Sequence, residues 1–80
     1  MNARHVILPD LGFGEQPVTL SMWLVKRGAE VSEGEPVVEV MVGDVTVDLP
    51  APADGILDEK LASAGDSLTV GQTLAIVSTF

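Results

Sequence analysis

The 80-residue chain has no cysteine, one histidine and only 4 lysine and arginine residues against 12 aspartate and glutamate residues. Without cysteine, disulfide staples and thiolate metal sites are excluded. With His5 as the sole imidazole, a histidine metal cluster is excluded as well. The formal net charge of −8 sets up a field that repels phosphate backbones, so no nucleic-acid partner is expected. No apolar run approaches the roughly 20 residues that span a bilayer. The opening MNARHVILPD lacks the apolar segment of a secretory signal. The expectation is a soluble acidic domain, away from the membrane, in the cytoplasm or, in a eukaryote, the mitochondrial matrix. Residues 1–80 make one small domain that buries about two-thirds of its unfolded surface. That leaves room for a thin core and little for a deep active-site cavity.

What the chain does contain points to β structure. Val, Ile and Thr supply 20 of the 80 residues, and these β-branched side chains suit a pleated surface. Eight Gly and five Pro punctuate short apolar runs, the pattern of a sandwich or barrel. Strands are expected at residues 5–8, 18–25, 36–42, 45–49, 56–62 and 73–77, with Val31 and Leu68 standing alone between turns. Within 18–25, Val18, Leu20, Met22 and Leu24 share one face of the alternation. Gly43-Asp44 reads as a two-residue type II′ hairpin turn, with Gly at its first central position. Val38, Val40, Val47, Leu57, Leu74 and Ile76 are expected in the core.

The two halves repeat at a spacing of 37 residues. Gly28 falls on Gly65, Val31 on Leu68, Gly34 on Gly71, Val37 on Leu74 and Val40 on Val77. Two copies are too few for a solenoid. They imply instead an all-β flattened barrel or sandwich of two four-stranded antiparallel sheets with pseudo-two-fold symmetry.

Several segments carry a resemblance. Leu8 to Glu15 (LPDLGFGE), Trp23 to Val31 (WLVKRGAEV), Glu33 to Val40 (EGEPVVEV), Ala51 to Gly55 (APADG) and Val70 to Ala75 (VGQTLA) resemble, in joint order and spacing, the lipoyl domains of the biotinyl/lipoyl family. Such domains occur in the acyltransferase subunits of 2-oxo acid dehydrogenase complexes. The similarity covers about residues 6–78. It implies a non-catalytic domain whose lipoate is carried on a lysine in an Asp-Lys-Ala hairpin turn. Ungapped counting forward from Gly34 and backward from Pro52 puts that lysine at Asp44, with Gly43 and Val45 as its hairpin neighbours. A carboxylate cannot supply the amide nitrogen, so no cofactor is expected on this chain. The other lysines, Lys26 and Lys60, lie away from the hairpin.

Each candidate residue has two readings. Asp44 is either a lost attachment site reused as an acidic contact or a plain surface turn residue. The resemblance implies that the loop holding Gly12, Phe13, Gly14 and Glu15 lies beside the hairpin and helps a partner enzyme recognise the domain; alternatively Phe13 folds back over the core edge. Trp23 reads as core or rim packing, with a binding role as the alternative. Glu30, Glu33, Glu35 and Glu39 match no calcium loop and read as a solvated face, so no metal site is assigned. No nucleophile–base pair is visible. The expected function is a docking or assembly module, monomeric in isolation, that binds a protein partner of dehydrogenase or acyltransferase type. The alternatives are an acyl-carrier domain seen as a lysine-less variant and the lipoyl-like part of a membrane-fusion adaptor. The adaptor would carry a helical hairpin between its halves, where this chain has two residues.

Overall fold

The computed structural model describes residues 2–80. Eight strands follow in order: β1 (Ala3–Ile7), β2 (Val18–Trp23), β3 (Glu30–Val31), β4 (Pro36–Val42), β5 (Val45–Pro50), β6 (Gly55–Lys60), β7 (Ser67–Leu68) and β8 (Thr73–Thr79). They form two four-stranded sheets, ordered β1-β8-β6-β3 and β5-β4-β2-β7, with every pairing antiparallel. The lone Val31 and Leu68 of the sequence are the buried members of the two-residue strands β3 and β7. The molecule measures 36 × 19 × 19 Å.

The 37-residue repeat is the organising symmetry. Strands β2, β3 and β4 start at 18, 30 and 36, and β6, β7 and β8 start at 55, 67 and 73. The halves interlock, because β3 pairs with β6 and β7 pairs with β2. Backbone hydrogen bonds repeat at the same spacing. Leu20 N donates to Asp66 O and Leu57 N to Ala29 O; Leu24 N donates to Val37 O and Leu61 N to Leu74 O. Turn braces repeat too: Ser32 N donates to Glu35 Oε1 at 3.0 Å, and Thr69 N to Gln72 Oε1 at 2.9 Å. Neutral Gln72 does what Glu35 does, so the Glu35 carboxylate serves the turn as an acceptor.

One core lies between the sheets, with Leu8, Leu20, Val37, Val38, Val40, Leu57, Leu74 and Val77 fully buried. Of the residues expected there, Val38, Val40, Leu57 and Leu74 are fully buried and Val47 packs against the cluster as a half-buried side chain. Ile76 departs from expectation. The β1–β8 register passes from Val6↔Ala75 to Ile7↔Thr73, so Leu74 is an extra residue in β8. This bulge turns both Leu74 and Ala75 inward and shifts the phase, putting Val77 in the core and Ile76 on the outer face. A second bulge, between Leu20 and Met22, does the same to β2. Met22 and Leu24 turn outward, at 49% and 40% exposure, while Trp23 and Val25 pack on the core. At the equivalent place in β6 the register shifts between Leu57 and Glu59, and Leu61 faces out.

Trp23 and Lys60 occupy equivalent positions of the two halves and touch each other. The Lys60 ammonium lies 5.0 Å from the Trp23 ring centroid, and Trp23 Nε1 donates to Ala62 O at 3.1 Å. The rim packing expected of Trp23 is therefore a contact between the halves.

Candidate functional site

The β4–β5 hairpin closes with Val42 opposite Val45, leaving Gly43 and Asp44 as its two-residue turn. Gly43 has φ +58°, and no residue other than glycine has a positive φ among the described residues. A positive φ at the first central residue alone fits the type II′ turn expected from the sequence. Gly43 is needed there because a β-carbon strains the left-handed region. Asp44 is exposed and so is Val45, at 45%. Val42, one residue into β4, is already buried, so the turn projects from the end of the core. The apex carries one carboxylate and no amine. Lys60 is held against Trp23, and Lys26 lies in the turn after β2, where its carbonyl accepts from Ala29 N.

The loop between β1 and β2 is where the two halves differ most. Strands β1 and β5 correspond at a spacing of 43, Val6 opposing Ala75 as Leu49 opposes Val38. Set against the 37-residue repeat, the loop after β1 is six residues longer than the connector after β5. The extra residues arch toward the hairpin. A β-carbon on Gly43 would lie 3.8 Å from Gln16 Oε1, which puts the end of the loop beside the turn. The loop is braced internally: Gly12 N donates to Asp10 Oδ1 at 2.9 Å, and Gln16 N donates to Phe13 O at 3.4 Å.

Between this loop and the β7 turn opens a cleft of about 290 Å³. Leu11, Phe13, Val18, Leu68 and Val70 give it apolar walls, and Asp10 and Glu15 bring carboxylates to it. Of the loop residues singled out in the sequence, Phe13, Gly14 and Glu15 line the cleft; Gly12 belongs to the Asp10 turn instead. Phe13 is half-buried, yet it is not among the side chains packed on the core. Sequence reasoning missed Thr69 and Val70, which form the opposite wall. The signal available was an apolar Val70 in the turn two residues after Leu68, the last residue of the short strand β7.

Of the remaining candidates, Glu35, Glu39 and His5 have side-chain partners, and Glu33 is held through its backbone. Glu39 Oε2 accepts from Ser21 Oγ at 2.8 Å, and Asp54 Oδ1 accepts from Glu33 N at 2.7 Å. His5 is exposed on β1, 3.5 Å from Thr73 Oγ1. Among the described residues no three His, Cys, Asp or Glu side chains are grouped to hold a metal ion, and no helix is long and apolar enough to cross a membrane.

Comparison with known proteins agrees with the fold. The model of the biotin–lipoyl family, described as biotin-requiring enzyme, matches residues 4–77. The dihydrolipoyllysine-residue succinyltransferase component of the 2-oxoglutarate dehydrogenase complex of Staphylococcus saprophyticus is 36% identical over 73 residues, covering 91% of this chain and 17% of that protein. The lipoamide acyltransferase component of the branched-chain alpha-keto acid dehydrogenase complex of Bacillus subtilis is 30% identical over 79 residues, covering 99% of this chain and 19% of its own length. The chain thus spans less than a fifth of these curated relatives. The solution structure of the lipoyl domain of the 2-oxoglutarate dehydrogenase complex from Azotobacter vinelandii superposes with a TM-score of 0.71 at 25% identity, covering 91% of this chain and 95% of that one.

Proposed function

The chain belongs to the biotin–lipoyl family, and from that premise we propose that it is a lipoyl-type domain that has kept the scaffold and lost the swinging arm. It acts as an unlipoylated, non-catalytic docking or assembly module for a protein partner of dehydrogenase or acyltransferase type. Its compartment is that of such complexes, the cytoplasm or the mitochondrial matrix of a eukaryote.

The observation that carries this reading is the apex of the β4–β5 hairpin. Its two turn residues are Gly43 and Asp44, and Asp44 stands where ungapped counting puts the family's attachment lysine. Lipoate and biotin are held as amides of a lysine amine. Asp44 ends in a carboxyl group and has no nitrogen to acylate. Lys60 is committed to Trp23, and Lys26 sits in the turn after β2, away from the hairpin apex. The superposition on a lipoyl domain with a TM-score of 0.71 over 91% of the chain supports a scaffold that has been kept.

The similarity to acyltransferase components supports a second reading, an acyl-carrier domain seen as a lysine-less variant. Gly43 and Val45 also differ from the Asp-Lys-Ala turn, which favours drift of the whole turn over a single replacement. The test is to rebuild the turn. With an active lipoyl ligase and lipoate, Asp44→Lys is expected to be lipoylated in part, and Gly43→Asp with Asp44→Lys more fully, as read by intact mass. Asp66→Lys, in a second-half turn, is the control expected to stay unmodified. A folded double variant that gains no lipoyl group would remove the assignment of Asp44 to the attachment position.

A further inference from the structure

The cleft beside the hairpin has a chemistry of its own, and its two walls come from different halves of the chain. One is the loop after β1, with Pro9, Leu11, Phe13 and Glu15; the other is the β7 turn, with Leu68, Thr69 and Val70. Val70 is 55% exposed and lies outside the core cluster. Phe13 is only half-buried and also lies outside that cluster. Apolar surface thus stays open at a place where the fold supplies nothing to cover it. The charge at the site has one sign. Asp10 and Glu15 line the cleft, and no Lys, Arg or His does. Asp44 and Gln16 stand at the neighbouring turn. The four cations of the chain are engaged or placed elsewhere: Lys60 over Trp23, Arg27 donating from Nε to Asp58 O at 2.9 Å, Lys26 in the turn after β2 and Arg4 on β1 opposite Val77.

We infer that this cleft docks a cationic segment of a partner protein, one that seats a single large apolar side chain between Phe13 and Val70 and brings Lys or Arg to Asp10 and Glu15. The inference rests on the docking reading and adds the chemistry of the partner. The cleft volume of about 290 Å³ suits one large apolar side chain as the anchor. Charge complementarity fixes the flanks. An anionic segment would meet two carboxylates and the field of a chain with net charge −8, which costs association rate as well as affinity. The contribution of each rim carboxylate is small, because these groups are exposed and screened. The apolar anchor therefore gives hold, and the rim gives selection and salt dependence.

The test uses the isolated chain, whose core and sheets are complete, and three synthetic peptides: Lys-Lys-Leu-Phe-Lys-Lys, Glu-Glu-Leu-Phe-Glu-Glu and Lys-Lys-Gly-Ser-Lys-Lys, each capped at both ends. Amide shifts are followed by nuclear magnetic resonance. The first peptide is expected to bind saturably, with the largest shifts at residues 11–16 and 68–71 and weaker binding as salt shortens the screening length below about 10 Å. The second and third are expected to bind more weakly. Glu15→Lys is expected to weaken the first peptide about two- to fivefold, the range of an exposed ion pair, and Val70→Ser to weaken it without changing its salt slope. Glu59→Lys, on β6 and outside the cleft, is the charge-matched control and leaves binding closer to that of the unaltered chain. Equal binding of all three peptides, shifts centred outside the cleft, no saturable binding of the first peptide, or equal effects of Glu15→Lys and Glu59→Lys would each overturn the inference. The docking reading fails on a different result: lipoylation of the unaltered chain, read by intact mass, contradicts it whatever the peptides do.

Discussion

Gly55→Ala tests whether the packing of the sheets is as tight as described. Gly55 is buried, and it sits between two strands, pairing with Val31 on β3 and Thr79 on β8. A β-carbon added there would fall on the Ser78 carbonyl oxygen and lie 2.9 Å from Val77 Cγ1. The obstruction is backbone, so no rotamer change relieves it. Either β6 shifts away from β8 or the pairing of Gly55 with Thr79 opens. Overpacking of this kind costs about 1–3 kcal/mol, and one lost backbone hydrogen bond adds about 1 kcal/mol. The expected loss is therefore roughly 2–4 kcal/mol, a large share of the stability of so small a domain. Gly65→Ala is the comparison. Gly65 has φ +93° but nothing within 4 Å of an added β-carbon, so it costs only the left-handed backbone conformation, about 1–2 kcal/mol. Urea unfolding followed by the fluorescence of Trp23, the single tryptophan, measures both. The expected order of midpoints is unaltered chain above Gly65→Ala above Gly55→Ala, with similar slopes. A Gly55→Ala midpoint equal to that of the unaltered chain would refute the close approach of β6 and β8.

Other perturbations probe the core, the contact between the halves and the bulge. Leu74→Ala empties a fully buried site and is expected to cost about 2–5 kcal/mol by the same unfolding assay, whereas Ile76→Thr, on the outer face, is expected to cost far less; equal losses would put the β8 bulge in the wrong place. Lys60→Ala removes the ammonium over Trp23 and is expected to cost about 0.5–1 kcal/mol while shifting the Trp23 emission; an unchanged spectrum would mean the contact is not formed in solution.

How much of this was legible in the sequence can be judged from particular residues. The 37-residue spacing was readable because turn glycines and core positions recur together, Gly28 with Gly65 and Val40 with Val77. The hairpin turn was readable because Gly43 stands at the one position where a type II′ turn needs a positive φ. The bulges were not readable. An extra residue at Leu74 or between Leu20 and Met22 is set by the pairing partner, and alternation within one strand carries no trace of it. That is why Ile76 was expected inside, and why Met22 and Leu24 were grouped with Leu20. The loop half of the cleft was legible as Phe13 between two glycines. The other half was not, since Val70 is more than fifty residues away in the chain and meets the loop only through the β2–β7 pairing.

The most direct test of the central claim is the intact mass of the unaltered chain after co-expression with an active lipoyl ligase in the presence of lipoate. The expected result is the mass of the polypeptide alone, because the apex residue Asp44 offers no amine. A gain of one lipoyl group, mapped by peptide analysis to Lys26 or Lys60, would contradict it.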